Sequence, residues 1–587
     1  MARRSKRKRS RLPASQVLSP ATRELSDDGT TAYARGELAK ARLAMERVLV
    51  AAPAHVPTLL TLAQIARDEV RLTDAIRYLK TVATVDPQHG QALAELGRLL
   101  YQQNEVSQAL DMLRRAHRLG DRSAALMSSL PGALMSMGQH EAGLKIASES
   151  AQTHPDDHRL HSSRLLALNY TNLRSAESVA RAHREWGNRC ADDIAGYPPP
   201  TDAEAFGLEI RPKRLRLGIV SADLRQHSVS YFATPLLANL DRERFEVVVY
   251  HTHPNRDDTT VRLISSADRW HNVAELADRE LLRCIRADGI HLLLDLNGHT
   301  AYNRLPVFAA RAAPVQLTYA GYPNTTGLEA MDYRVVDCIT DPASENDEEH
   351  YTETLVRLPE TFLCYAPGSG RPSRRVREQS GWLTFGCFNN PQKITGDVLA
   401  TWLEILRTVQ RSRLLLKSRV SGDRGYVTRT TRYFTERGIS QKRLEFRPYA
   451  TSAADGMAVY QHVDIALDTF PYNGTTTSCE AMWMGVPVIT LRGAAHAGRV
   501  GASLLCAAGL SELVAEDRAG YVDAAVTLAS DADRLYRLSA GLRDQMQQSA
   551  LMNAPAFARR FESALDHVWE RFLDASRTSA TGPPIPR

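Results

Sequence analysis

Two periods of hydrophobic and polar positions divide the chain. Across residues 22–155 the apolar positions Met45, Leu79, Leu113 and Ala147 recur every 34 residues. The small residues Ala41, Ala75, Ala109 and Gly143 keep the same spacing, as do Gly36, Val70, Asn104 and Gly138, and the breakers Pro53, Pro87, Asp121 and Pro155. Such a pattern predicts antiparallel helix pairs: the small residue lets two helices approach, and the breaker ends one unit and starts the next. A single pair cannot bury its apolar face, so the units are expected to stack into a superhelix. From residue 212 the period changes. LRLGIVS, FEVVVYHT and IHLLLDLNG are short apolar runs separated by helical stretches, and WLTFGCFNN, SRLLLKS, LEFRPY, DIALDTF and VPVITL form a second set. Buried runs of this length alternating with helices predict parallel strands in βαβ units. Two doubly wound domains, 212–365 and 381–554, are therefore expected to face one another, with ligands in the cleft beyond the carboxyl ends of their strands.

The helical third resembles tetratricopeptide repeats and is assigned to residues 22–190. Four units hold register. Asn172 keeps the turn phase but Glu177 breaks the small-residue track, so 159–190 is read as a degenerate fifth pair capping the stack. The concave face of such a stack commonly grips extended peptide; a purely structural arm is the alternative. The remaining segments are a basic, disordered tail (1–21), linkers at 191–211 and 366–380, a C-terminal helix at 555–575 packing back on the catalytic body, and a tail at 576–587.

Composition narrows the function classes. At 587 residues the chain exceeds one hydrophobic core, and roughly 100–200 residues per domain suggest three or four units. No stretch approaches the ~18 uncharged apolar residues of a membrane span. The formal charge is +6, yet Arg3, Arg4, Lys6, Arg7, Lys8, Arg9 and Arg11 alone supply seven positive charges, so the remainder is near neutral. That tail lacks aromatic residues for base stacking, and nucleic acid is not the expected partner. No apolar segment follows it as in a secretory signal. The seven cysteines contain no C-x-x-C pair and fit reduced, buried thiols; a cytoplasmic location is expected. The first strand is not followed by G-x-G-x-x-G, and G-x-x-x-x-G-K-[ST] is absent, which argues against a dehydrogenase and an NTPase. No His, Cys or carboxylate cluster has metal-ligand spacing, so chemistry without a metal or other cofactor is expected.

The stretch DTFPYNGTTTSCEAMWMGVP, residues 468–487, carries the strongest chemical signal. Strand DIALDTF is read as ending at Phe470, Pro471 to Gly474 as a turn, and the helical run as stopping at Gly485 and Pro487. Thr475, Thr476 and Thr477 then sit at a helix N-terminus, where unpaired N–H groups and a positive dipole end suit a pyrophosphate. One threonine would serve as an N-cap; three exceed that need. Glu480 lies one turn along on the same side, placed to accept hydrogen bonds from ribose hydroxyls. A departing nucleoside diphosphate needs a cation, and Lys393 in FGCFNNPQKIT, in a polar turn after a strand, is the candidate.

RLGIVSADLRQHSVSYF, APVQLTYAGYPNTTGLEAMDYRVVD, FGCFNNPQKIT and LDTFPYNGTTTSCEAMWMGVPVITL, behind the repeats, resemble glycosyltransferase family 41, which holds the O-GlcNAc transferases and SPINDLY proteins. The likeness spans about residues 22–575. It implies a GT-B fold, two Rossmann-like domains facing a cleft behind an all-α superhelix, and inverting, metal-independent transfer of one sugar from a nucleotide sugar to Ser or Thr of proteins. By resemblance His227 matches the histidine proposed as base and Lys393 the lysine that contacts the diphosphate. Asn390 stands where O-GlcNAc transferases have a glutamine near the nucleotide, Thr475–Thr477 occupy their His-Thr-Thr triplet, and Glu480 replaces their ribose-binding aspartate. Tyr449, Ala450 and Asn473 join the implied donor-binding set. Asp295 and His299, at the end of another strand of the first domain, are alternatives as base or sugar contacts. The lysine and histidine that hold uridine in those enzymes fall on Ser452 and Asp455 and are absent here. FPYNGTTTSCE, NGHT and HAGRVGASLL read closer to SPINDLY, whose plant members transfer fucose from GDP-fucose. The implied donor is UDP-GlcNAc, with GDP-fucose as the alternative; the implied acceptors are proteins or peptides along the repeat groove. A catalytically silent adaptor is the reading from a different class.

Overall fold

The computed structural model describes residues 18–193, 208–209, 211–343, 346–368, 381–450 and 452–580. The basic cluster Arg3–Arg11, most of both linkers and the last seven residues lie outside them. The described residues fall into two compact units that part between Met137 and Gly138.

In the first unit the expected helix pairs are present: Pro20–Ala34 with Leu38–Ala51, Val56–Asp68 with Leu72–Val85, and Gly90–Gln102 with Val106–Arg118, followed by Ala124–Ser136. Ala41, Ala75 and Ala109 are fully buried, as close helix approach requires. Asp121 replaces proline as a breaker by accepting hydrogen bonds from the Ser123 N–H (2.8 Å) and hydroxyl (2.6 Å). The turn positions share one conformation: Gly36, Val70, Asn104 and Gly138 have φ of 75°, 60°, 62° and 65°. Glycine and asparagine tolerate this left-handed region, whereas a β-branched residue is strained there. Val70 is 78% exposed, so its side chain gains little packing in return. Val70→Gly is therefore expected to stabilise the repeat unit by about 1 kcal/mol, after the entropy cost of glycine; a thermal or urea midpoint that falls instead would refute the strain.

The second unit opens with helices His140–Thr153, His158–Leu168 and Ala176–Asp193. The fifth pair is degenerate in its turn as well: residues 169–175 connect its helices, where the earlier pairs need only 35–37, 69–71 and 103–105. Two parallel sheets follow. The first joins β1 (Leu215–Ser221), β2 (Phe245–His251), β3 (Arg269–Asn272), β4 (Leu292–Asp295), β5 (Val315–Thr318), β6 (Tyr333–Asp337) and β7 (Thr354–Leu358) in the order β3-β2-β1-β4-β5-β6-β7. The second joins β8 (Leu383–Cys387), β9 (Ser412–Lys417), β10 (Leu444–Arg447), β11 (Ile465–Leu467), β12 (Val488–Leu491) and β13 (Val514–Ala515) in the order β10-β9-β8-β11-β12-β13. All four residues of β4 and the last five of β1 are buried, which explains their unbroken apolar runs.

The two α/β domains meet through buried polar contacts. His496 Nδ1 lies 2.7 Å from Asp341 Oδ2, and the Asp341 carboxyl is held well below its usual range by His496, against the opposing effect of burial. Ser503 Oγ donates to Asp337 Oδ2 at 2.5 Å. The final helix, Ala554–Ala580, returns from the second domain to the first. There Phe561 packs edge-on against Tyr319, Trp569 against His291, and the buried Glu562 accepts from the Asp241 N–H at 2.8 Å.

Candidate functional site

The carboxyl ends of β8, β10 and β11 carry the residues that the sequence singled out in the second domain. After β8 the chain turns through Asn389 and Asn390 into a 3-10 turn, Pro391–Lys393. The two asparagines have different tasks. Asn390, expected at the nucleotide, is exposed and its Oδ1 accepts from the Gln392 N–H at 3.1 Å, capping the turn. Asn389 is buried; its Nδ2 donates to Asp468 Oδ1 (3.1 Å) and its Oδ1 accepts from Thr477 Oγ1 (2.6 Å). Lys393 Nζ donates to the Asn473 carbonyl at 2.6 Å and lies 3.7 Å from the Tyr472 ring centre. Burial pulls the ammonium down to about 8, against the opposing carboxylate of Asp468.

Strand β11 ends at Leu467, three residues before Phe470, because Asp468 turns inward to organise the loop. Its Oδ1 accepts from the N–H groups of Gly474 (2.6 Å) and Thr469 (2.8 Å), and its Oδ2 from the Thr490 hydroxyl (2.8 Å). Asn473 serves the same loop, bonding Thr469 O at 2.9 Å and accepting from the Gly501 N–H at 3.1 Å. Gly474 has no room for a side chain: a Cβ would stand 2.6 Å from Ser478 Oγ and 2.7 Å from Thr477 Oγ1. Helix Thr476–Trp483 starts here with Thr475 at its N-cap, but the Thr475 side chain makes no capping bond. The Thr476 hydroxyl is buried and has no hydrogen-bond partner. The N-terminus thus keeps hydrogen-bonding capacity that an ordinary cap would use up.

Glu480, one turn on, accepts from Tyr460 OH at 3.3 Å; burial raises its pKa and Lys417 opposes the rise. Lys417, at the end of β9, donates to the Gly456 carbonyl at 2.7 Å. The Tyr449 ring, 60% exposed, lies 5.3 Å from Lys417 Nζ and 5.5 Å from the Arg419 guanidinium. Ala450 follows it. Ser452 and Asp455 bond each other, Ser452 Oγ to Asp455 Oδ2 at 2.7 Å, at the start of the short helix Ala453–Ala458.

On the first domain, His227 follows β1. Its Nδ1 lies 3.4 Å from Asp223 Oδ1, and Asn297 Nδ2 donates to the other oxygen of that carboxylate at 3.0 Å. Burial brings the His227 imidazolium down to about 4, with further lowering by Arg225 and by Arg419 of the second domain.

The polar atoms of Asp295 and His299 are taken up by the fold. Asp295 is fully engaged in shaping its own loop, accepting from the N–H groups of Asn297 (3.0 Å) and Gly298 (2.8 Å) and from Thr318 Oγ1 (2.9 Å). His299 has both ring nitrogens in use, Nδ1 with Ser162 Oγ (3.0 Å) and Nε2 with Thr326 O (2.8 Å), beneath Trp186. It seats the last repeat helices against the first domain. Asn297, between the two that sequence singled out, is the residue of that motif that bonds Asp223 beside His227; Asp223, Asn389 and Asp468 were likewise not singled out. Only Asp468 left a signal, a carboxylate at a strand end before a Pro-Asn-Gly turn. Among the described residues, no three His, Cys, Asp or Glu side chains gather as a metal site would require. Among them, too, no helix is long and apolar enough to cross a membrane.

Comparison with known proteins identifies the family and the fold. The model of the family described as "Glycosyl transferase family 41" matches residues 154–366 and 375–561, and a tetratricopeptide repeat model matches residues 66–130. The SPINDLY protein of Solanum lycopersicum, named a probable UDP-N-acetylglucosamine–peptide N-acetylglucosaminyltransferase, is 39% identical over 426 residues, 72% of this chain and 45% of its own. SPINDLY of Arabidopsis thaliana, with the same name, is 39% identical over 424 residues. The chain thus spans about half the length of the curated relatives it matches. Among solved structures, a lysine-to-methionine mutant of the Thermobaculum terrenum O-GlcNAc transferase matches with a TM-score of 0.80 and 36% identity, over 89% of this chain and 98% of that one. The repeats followed by two facing parallel-sheet domains are therefore the GT-B arrangement with an N-terminal helical array.

Proposed function

The chain belongs to glycosyl transferase family 41, and on that premise we propose that it is an inverting, metal-independent protein O-glycosyltransferase moving one sugar from a nucleotide sugar to Ser or Thr of protein acceptors. One observation carries the reading: beside a desolvated ammonium, the Thr475–Thr477 turn keeps an uncapped helix start and a buried hydroxyl without a partner. That combination suits the diphosphate of a departing nucleotide.

In the reaction the acceptor oxygen bonds to the anomeric carbon as the bond from that carbon to the diphosphate oxygen breaks. The hydroxyl proton passes to His227, and the electron pair leaving with the diphosphate is met by Lys393 and the helix N–H groups. His227 stays neutral, and so able to take a proton, above about pH 4. Asp223, held by Asn297 and raised by burial to about 7, lies 3.4 Å from its Nδ1 and is assigned to steady the imidazolium when ionised. Glu480 is assigned to the ribose hydroxyls.

UDP-GlcNAc is the donor we favour, since the curated relatives carry its name. A second reading, GDP-fucose, is supported by Ser452 and Asp455: a carboxylate suits the N–H donors of guanine. The helix that carries Asp455 is tied to Lys417 through Gly456. Acceptor proteins are assigned to the repeat array. Incubation with radiolabelled UDP-GlcNAc and, separately, GDP-fucose tests both readings. Label that survives denaturation of the protein or of added peptides is expected from one donor; label from neither, with no donor hydrolysis, would leave a silent adaptor.

A further inference from the structure

We propose that the last helices of the repeat region form part of the donor-diphosphate site, with Tyr170 and His140 as positioning residues for the two loops that meet at Lys393. The inference rests on the reading of Lys393 as the cation that meets the diphosphate.

Lys393 stands where two segments converge, the 3-10 turn that carries it and the loop after β11 that supplies Asn473 O and the Tyr472 ring. Each segment is held by one side chain from the repeat helices. The Tyr170 ring, at the end of helix His158–Leu168, stacks on Tyr472 with centroids 5.3 Å apart and planes at 29°. His140 Nε2, at the start of helix His140–Thr153, lies 2.8 Å from the Gln392 carbonyl, one residue before Lys393.

The helices are themselves fixed to the first α/β domain. Asn169, beside Tyr170, donates to Tyr322 OH at 3.0 Å and accepts from Asn324 Nδ2 at 2.9 Å; His183 Nε2 lies 2.8 Å from the same Tyr322 hydroxyl. Gly187 packs so closely that a Cβ there would stand 1.7 Å from the Gly327 carbonyl. A rigid element of the repeat therefore braces both loops from outside the donor domain. An ammonium held over a ring face is sensitive to the ring's tilt, so whatever sets the Tyr472 plane also sets where the Lys393 charge points.

The test is calorimetric binding of UDP and GDP to the full chain carrying Tyr170→Leu, Tyr170→Phe, Tyr472→Leu, or both leucines. Tyr170→Leu is expected to weaken binding of the nucleotide that wild type takes by about tenfold, a loss within the range of one desolvated cation–π contact. Tyr170→Phe, which keeps the ring, should restore it. The double variant should lose little beyond Tyr472→Leu alone, since interacting residues are not additive. Wild-type binding by Tyr170→Leu with an unchanged melting temperature, or losses that simply add, would overturn the inference. If wild type binds neither nucleotide, the donor reading fails by itself. The bracing is then decided by the pH dependence of Lys393 acylation, read by mass spectrometry in wild type and Tyr170→Leu: a shift supports it and identical curves refute it.

Discussion

Lys393→Met leaves a folded protein whose turnover is lower by about 10² to 10³, the loss expected when one preorganised donor of about 2.7–4 kcal/mol is removed from the transition state. Methionine fills most of the same volume, and the buried ammonium is not a source of fold stability. Its pKa falls from 10.5 to about 8 on folding, so the unfolded chain binds the proton more tightly. The ammonium therefore costs stability at neutral pH, a cost relieved as pH rises from about 8 toward 10.5. The same value fixes the rate profile of the free enzyme. Wild-type kcat/KM is expected to fall on the alkaline side near pH 8, as the ammonium is lost, and on the acid side in two stages, near pH 7 as the buried Asp223 takes a proton and near pH 4 as His227 does. Lys393→Met should lack the alkaline limb. A variant that keeps the wild-type rate removes this lysine from the mechanism.

The triple change Thr475→Val, Thr476→Val and Thr477→Val is expected to abolish measurable binding of UDP and GDP while the protein stays folded. Hydrogen bonds to a charged group contribute about 1.5–3 kcal/mol each, so losing three weakens binding by roughly 10³ or more. Valine keeps the branched shape. Among the three, one interaction with the rest of the protein is given up, the Thr477 hydroxyl to Asn389 at 2.6 Å; the Thr476 hydroxyl has no partner to lose. A melting temperature close to wild type together with unchanged nucleotide affinity by calorimetry would place the phosphates elsewhere.

What could be read without coordinates follows from how strongly each position is constrained. The repeat was legible because every turn must enter the left-handed region, and Gly36, Asn104 and Gly138 advertise it. Val70 does not, and only the 34-residue spacing gave it away. Strands β1, β2 and β4 stood out because burial on both faces leaves them largely apolar, and β9 by its central Leu414–Leu416 run. The short edge strands did not: β3 reads Arg-Trp-His-Asn with no residue buried, and β13 has two residues. Phe470 misled in the opposite sense, since its apolar character serves packing on Tyr521 rather than strand β11. Thr475–Thr477, Glu480 and Lys393 could be singled out by residue type, and the fold gathers them at the ends of β8 and β11. Which asparagine of Asn389-Asn390 turns inward depends on the phase of a tight turn, and adjacent identical residues carry no trace of it. Asp295 and His299 were plausible because strand ends are where chemistry gathers, but what occupies each of their polar atoms is decided by loops far away in sequence.

The close packing of Gly187 on Gly327, with Asn169 and His183 gathered on Tyr322, bears on how this enzyme family member can be taken apart. Sequence periodicity invites a scissor cut near residue 190, yet the folded body begins at Gly138. Anyone grafting the transferase half onto a foreign recognition module would need to carry residues 138–190 with it. A cut near residue 190 would divide the second unit, separating Gly187, Asn169 and His183 from the Gly327 and Tyr322 they pack on.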